Sequence, residues 1–350
     1  MVTAYVNQIS TAVPELDVHE TFVEFAPALI DARGKMLLFK RMAERAHISH
    51  RWSAVEDPVA FYGDNPSDVD TETRMIEYED KAPKLAQRAV DGLNLGATAD
   101  DITHLVIVTC TGFYSPGIDY DIIKNCGISP NVDRTQIGFM GCFAGITGLK
   151  TANNIVRADP SAKVLLVSVE LCSVHLQKPK SLESMLSFLI FGDGCAAAVI
   201  SAETTGIELD TFKQVMVPDT RDLITWRIGN AGYDMVLSGK VPGQLGKALN
   251  PENLKLILAG RTPDDIDLWA IHPGGRTILD AVENALELDS DALAVSRHIL
   301  ENYGNMSSAT VLFVLAEMME RAAHGGPTGM GSAMAFGPGL TAETMLFRLE

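Results

Sequence analysis

Cysteine is scarce in this chain and cations are outnumbered. Five cysteines, Cys110, Cys126, Cys142, Cys172 and Cys195, are spread over 350 residues with no C-x-x-C pair. That excludes a disulfide framework and a zinc ribbon, so each thiol is judged alone. Cys172-x-x-His175 resembles half a metal site, but no second half stands at suitable spacing. Lys and Arg number 28 against 45 Asp and Glu, a formal net charge of −17. This is the wrong sign for a general binder of nucleic acid or anionic membrane, although one local basic pocket remains open. No apolar run reaches the roughly 18 residues that span a bilayer. Met1–Pro14 lacks the basic-then-apolar layout of a signal peptide. H-E-x-x-H and G-x-S-x-G are absent. The glycines at Gly325, Gly326, Gly329 and Gly331 match neither the dinucleotide nor the P-loop spacing. The expectation is a soluble cytoplasmic protein that binds no nucleic acid, no membrane and no metal.

What is present is a globular composition, 47% hydrophobic and 21% charged, which argues against disorder. Short β-rich apolar runs at His104–Cys110, Lys163–Val169, Cys195–Ile200 and Asp267–His272 read as buried strands. Helical patterns lie between and around them, at Lys81–Leu93, Cys142–Ala158, Ala248–Leu258, Thr277–Leu286 and Ser307–Ala323. This alternation predicts an α/β layered fold. Ala202–Thr205 separates two comparable halves, 1–205 and 206–350, that read as one compact unit. No low-complexity segment or long flexible linker interrupts them.

Three motifs carry candidate chemistry. In Gly138-Phe139-Met140-Gly141-Cys142-Phe143-Ala144-Gly145 a cysteine flanked by glycines stands where a helix begins. The helix start favours the thiolate, and the nearest acids in sequence, Asp133 and Asp159, lie well away. The segment reads as a nucleophile or as a buried cysteine beside tightly packed glycines. His272 closes the apolar run Ala270-Ile271 and is followed by Pro273-Gly274-Gly275. That places it at a strand's C-terminal edge, where active sites of α/β sheets gather; a satisfied structural histidine is the alternative. Asn302-Tyr303-Gly304-Asn305-Met306-Ser307-Ser308-Ala309 is a polar turn opening an apolar helix. Asn305, Ser307 or Ser308 could cap that helix, or Asn305 could donate its amide to a developing oxyanion. Cys, His and Asn in three separate loops form a plausible nucleophile, base and oxyanion donor. Papain-like proteases use the same set, but their local cysteine signature is missing here.

From about Tyr5 to its end the chain resembles the type III polyketide synthases, the chalcone synthase-like branch of the thiolase superfamily, in a bacterial-type form. The resemblance rests on GCFAG at Cys142, FGDGCAAAV at Phe191, HPGG at His272, GNMSSA at Asn305 and GPGLTAE at Gly337, all in order. It implies a five-layered αβαβα fold built from two similar halves, usually a homodimer. It also implies a CoA-dependent acyltransferase that condenses malonyl-CoA onto a starter acyl-CoA by decarboxylative Claisen chemistry. CoA thioesters would be its substrates, with no metal, nicotinamide or flavin cofactor. By position, Cys142 matches the acyl-accepting cysteine, His272 the histidine and Asn305 the asparagine. Ketosynthases that start fatty-acid chains use the same three types, but HPGG and GNMSSA favour the polyketide branch.

The departures bear on the product. Phe191 matches one gatekeeper phenylalanine, whereas Met235 stands in place of the second. Trp226 falls where plant enzymes carry a cavity glycine, and Cys110, Cys172 and His175 where they carry threonines. With Ser307 these residues form the expected cavity set. They shift the expectation from aromatic starters toward malonyl or aliphatic acyl starters, giving pyrones, resorcinols or hydroxynaphthalenes. The segment Phe39-Lys40-Arg41-Met42-Ala43-Glu44-Arg45 resembles the one whose cations hold CoA phosphates. Arg41 and Arg45 keep their charge, while Leu38 replaces an expected lysine. A solvated helix face is the alternative for both arginines.

Overall fold

The computed structural model describes residues 2–29, 33–179 and 181–350. Among them one mixed sheet of nine strands runs in the order Leu268–Ile271, Gly329–Gly337, Thr341–Leu349, Ile207–Met216, Ala4–Ala12, Asp193–Ser201, Val164–Leu171, His104–Thr109 and Asp133–Gly138. The two halves of the sheet meet where Ala4–Val6 pairs antiparallel with Ile207–Leu209.

Side chains alternate across each strand, and this alternation builds the layers. Val106, Val108, Leu166, Ala196 and Ala198 from one half share a core with Ala333, Ala335, Met345 and Phe347 from the other. Helices Ala144–Ala158 and Thr310–Ala323 fill that central core. On the outer face of the first half, Leu105, Ile107, Leu165 and Val167 pack against Thr71–Asp91 and Ile118–Asn125. On the outer face of the second, Met334, Phe336 and Leu346 pack against Arg276–Leu286 and Val241–Ala248. The result is helix, sheet, helix, sheet, helix.

The four strands read from sequence form close to where they were expected, at His104–Thr109, Val164–Leu171, Asp193–Ser201 and Leu268–Ile271. Two differences are physical. The stretch 248–258 is not one helix but the end of Val241–Ala248 and a second helix, Pro251–Ile257. Asn250 starts the second by accepting the Asn253 N–H at 3.0 Å, and Pro251 cannot continue the first. The antiparallel strands Ala4–Ala12, Ile207–Met216 and Thr341–Leu349 are not singled out in the sequence, because polar residues interrupt them. A separate hairpin, Ile224–Gly229 with Gly232–Leu237, pairs Trp226 directly with Met235.

Candidate active site

Cys142 lies in a tight turn two residues ahead of helix Ala144–Ala158. The chain leaves strand Asp133–Gly138 through Phe139 at φ +60° and Gly141 at φ +90°. A Cβ on Gly141 would stand 2.2 Å from Pro338, so only glycine fits. The Gly141 N–H donates to Cys110 Sγ at 3.0 Å, tying the turn to the end of strand His104–Thr109. Cys110 thus straps the turn that carries Cys142.

The electrostatics correct the sequence reading of this thiol. Burial pushes the Cys142 thiol up to about 11, and nearby Glu170 acts in the same direction. Hydrogen bonds with Ser307 and Asn305 favour the thiolate but do not outweigh burial. A helix terminus contributes only about 0.3–1 kcal/mol at exposed sites, so it cannot offset full desolvation. The opposing acid is remote in sequence and adjacent in the fold. Glu170 accepts the Cys110 N–H at 2.9 Å, the Thr111 hydroxyl at 2.7 Å and the Ser308 hydroxyl. Its own carboxyl is raised by burial, against the pull of those donors.

His272 follows strand Leu268–Ile271 and is fully buried, and neither ring nitrogen has a hydrogen-bond partner. Burial lowers its pKa to about 3, so the ring is neutral. An unpaired buried donor and acceptor on one ring is costly, and a reacting group that pairs with them relieves the cost. The Asn305 amide lies beside the same loop, with Nδ2 at 3.4 Å from the Gly274 carbonyl. Its oxygen is committed, accepting the Ser307 N–H at 2.8 Å. The backbone of Asn305 also donates to the Ile190 carbonyl at 2.8 Å and accepts the Gly192 N–H at 3.0 Å, bracketing Phe191.

One cavity of about 40 Å³ gathers Cys142 with Cys110, Cys172, His175, Phe191, Trp226, Met235 and Ser307. All of the residues read as its lining from sequence therefore meet there, and Thr111, Ser187, Phe188 and Pro338 join them. A second chamber of about 340 Å³ shares Cys172, Phe188 and Phe191 with it. Phe22, Phe25, Val59, Tyr62 and Leu176 make most of the rest of its wall apolar.

Not all lining residues are free to react. The His175 ring sits 2.7 Å from the Thr111 carbonyl through Nε2 and 3.2 Å from the Tyr233 N–H through Nδ1. It also stacks on the Tyr233 ring, 4.1 Å between centroids. Both nitrogens are used, and burial lowers its pKa to about 3. The Trp226 indole donates to the Cys110 carbonyl at 2.7 Å, so it is fixed as a wall. Arg41 and Arg45 are exposed on helix Arg33–Ala46, outside both cavities.

Comparison with known proteins bears directly on this arrangement. The description "Chalcone and stilbene synthases, N-terminal domain" matches residues 10–204, and the corresponding C-terminal domain matches residues 208–349. The chain belongs to the chalcone and stilbene synthase family. An alpha-pyrone synthesis polyketide synthase-like protein of Mycobacterium tuberculosis is 37% identical over 281 residues, covering 77% of this chain and 71% of that one. Bisdemethoxycurcumin synthase of Oryza sativa subsp. japonica is 33% identical over 334 residues, covering 88% and 82%. Among solved structures, the C-terminal type III polyketide synthase domain of Steely1 from Dictyostelium superposes with a TM-score of 0.89 at 26% identity, covering 99% of both chains. PKS-I of the brown alga Ectocarpus siliculosus gives 0.87 at 31%, covering 100% and 99%. The protein is a type III polyketide synthase with the thiolase-like fold, an acyl-transferring enzyme.

Two parts of this synthase's site were not read from its sequence. Glu170 had a signal, a single acid in the otherwise buried strand Val164–Leu171. Arg51 had none. Its Nη1 donates to the carbonyls of Phe188 and Phe191, each at 2.8 Å, and so fixes the backbone of the wall shared by the two cavities. Among the described residues no group of three or more His, Cys, Asp or Glu is placed to hold a metal ion. No described helix is long and apolar enough to cross a membrane.

Proposed function

We propose that this synthase condenses malonyl-CoA onto an aliphatic starter acyl-CoA and cyclises the product to a pyrone, resorcinol or hydroxynaphthalene. His272 takes the Cys142 proton, and the thiolate attacks the starter thioester. CoA leaves as the thiol with the proton that His272 returns, and the acyl group stays on Cys142. Malonyl-CoA then loses CO₂, and the resulting enolate oxygen is held by the His272 N–H and the Asn305 amide. The enolate carbon attacks the Cys142 thioester and displaces the thiolate, so the lengthened chain returns to CoA for the next round.

The unpaired nitrogens of His272 support its double role, since one neutral ring carries both an acceptor and a donor. The chemistry asks for no metal, nicotinamide or flavin beyond the CoA thioesters. A homodimer in the cytoplasm, organised as the halves 1–205 and 206–350, belongs to the same reading.

The apolar chamber carries the choice of starter. At about 40 Å³ the reaction cavity has little room beside Cys142. The neighbouring 340 Å³ chamber, walled largely by Phe22, Phe25, Val59, Tyr62 and Leu176, suits a hydrocarbon tail entering past Cys172. Each buried methylene is worth about 0.8 kcal/mol, roughly fourfold in affinity. The test is a series of saturated acyl-CoA starters with malonyl-CoA, products identified by mass. We expect kcat/KM to rise with chain length and then fall once the chamber is full. A preference for aromatic starters, or none beyond acetyl, would overturn the reading.

A further inference from the structure

Phe188 lies near the end of helix Leu182–Ile190 and borders three spaces at once. The first is the reaction cavity around Cys142. The second is the apolar chamber, whose wall shares Cys172 and Phe191 as well with that cavity. The third is a pocket of about 370 Å³ between the helix and the hairpin of Ile224–Gly229 with Gly232–Leu237. Met235 is common to this pocket and the reaction cavity. Among the described residues Phe188 alone belongs to all three walls.

The two side spaces differ in chemistry. Phe22, Phe25, Val59, Tyr62 and Leu176 make the chamber largely apolar. Gln177, Lys178, Ser184, Thr225 and Arg227 give the pocket a polar wall. Arg51 also lines the chamber, but Nε and Nη1 are bonded to His19 and to the carbonyls of Phe188 and Phe191. Its Nη2 is buried, and the guanidinium lies over the Phe22 ring at 4.8 Å, so an entering chain meets little of its charge. The reaction cavity, at about 40 Å³, has room for about three waters. The tail of a starter held on Cys142 must therefore extend into a neighbouring space. A hydrocarbon tail gains by leaving water for apolar walls, whereas a hydroxyl taken there without a partner is penalised. Which side space stands open thus decides which tail is accepted.

We propose that Phe188 is a specificity-determining residue: it divides the reaction cavity from the polar pocket and so directs the starter tail into the apolar chamber. The residue is held in place for that task. Its carbonyl accepts Arg51 Nη1 at 2.8 Å, and its side chain packs against the cluster of Phe22, Phe39, Met185 and Leu189. Shortening the side chain removes the one wall that all three spaces have in common, and a tail bearing an oxygen then gains a polar space to enter. This assignment rests on an aliphatic acyl-CoA being the starter.

The experiment measures kcat/KM for octanoyl-CoA against 8-hydroxyoctanoyl-CoA, and for dodecanoyl-CoA against 12-hydroxydodecanoyl-CoA, with malonyl-CoA as the extender. Phe188 is shortened stepwise to Leu, Val and Ala. The unmodified protein should favour the plain chain, and that preference should fall at each step, by about tenfold in all at Phe188→Ala. A ratio of two substrates on one protein does not depend on how much of the protein is folded. A variant that is merely unstable therefore loses both activities alike. Should Phe188→Ala not fold, Phe188→Leu and Phe188→Val still carry the trend. Parallel losses, or an unchanged ratio at both chain lengths, overturn the assignment. An unmodified protein that prefers the hydroxylated starters would instead overturn the aliphatic-starter reading beneath it.

Discussion

Asn305 Oδ1 accepts the backbone N–H of Ser307 at 2.8 Å, and Ser307 takes a φ of +48° to deliver it. A non-glycine residue held there costs about 1–3 kcal/mol, which the surrounding structure must sustain. The strain has a use. With its oxygen occupied, the amide can present only its N–H groups to a reacting atom. Asn305 Oδ1 therefore braces the turn ahead of the helix, and the proposed mechanism leaves the donor role to the other end of the side chain.

Removing that donor should separate two steps. Asn305→Ala is expected to slow malonyl-CoA decarboxylation by about 10²–10³, the usual loss for one oxyanion donor. Acylation of Cys142 needs no enolate and should continue, visible as a mass shift on incubation with acyl-CoA. Normal decarboxylation by this variant would reduce Asn305 to a brace of the turn.

The thiol makes a different demand. Burial raises the Cys142 thiol well above neutral pH, so the thiol form dominates there and a base is called for. His272 is the base within the proposed mechanism. Iodoacetamide should alkylate the unmodified protein faster at neutral pH than His272→Ala, because only the former keeps a ring nitrogen to take the proton as the thiol reacts. Equal rates would show that His272 does not draw the proton. Cys142→Ala should release no polyketide, whereas Cys110→Ala should still be acylated.

His175 tests the contrary case, a histidine of the cavity wall without chemistry. Its pKa of about 3 lies below the unfolded value of 6.5, so the unfolded chain binds the proton first. Its contribution to stability is whole above pH 6.5 and is lost as pH falls toward 3, by about 1.4 kcal/mol per unit. His175→Gln keeps a donor for the Thr111 carbonyl and an acceptor for the Tyr233 N–H without titrating. Urea midpoints at pH 7 and pH 5 should lie closer together in this variant, and condensation should survive. Loss of activity in a stable variant would give His175 a direct role.

The sequence was most legible where function and packing forced local oddities. Glycines around Cys142 and the turn before Ser307 are visible because tight backbone needs them, and the buried strands because their faces are both apolar. Glu170 and Arg51 act through partners distant in the chain, so their roles depend on which strands become neighbours. Ionisation of Cys142 was misread for the same reason: the sequence shows nearby charges along the chain, not burial or a carboxylate delivered by another strand.

Trp226 bears on what the enzyme makes. It faces Met235 across the hairpin and both line the reaction cavity, so the indole limits the space in front of Cys142. Trp226→Gly should enlarge that cavity and allow further extension cycles or bulkier starters, while acylation of Cys142 continues. The change also strips the Cys110 carbonyl of its 2.7 Å partner and the His175–Tyr233 pair of an edge contact. Loss of a tryptophan from a packed site costs about 3–5 kcal/mol, so a lower melting temperature is expected as well. Trp226→Phe separates the two effects. It removes the indole N–H, worth about 1 kcal/mol, and keeps most of the bulk, so its products should match those of the unmodified enzyme. Products are read by mass across several acyl-CoA lengths. A folded Trp226→Gly protein with the same product spectrum would show that the indole packs the wall without setting the size of the product.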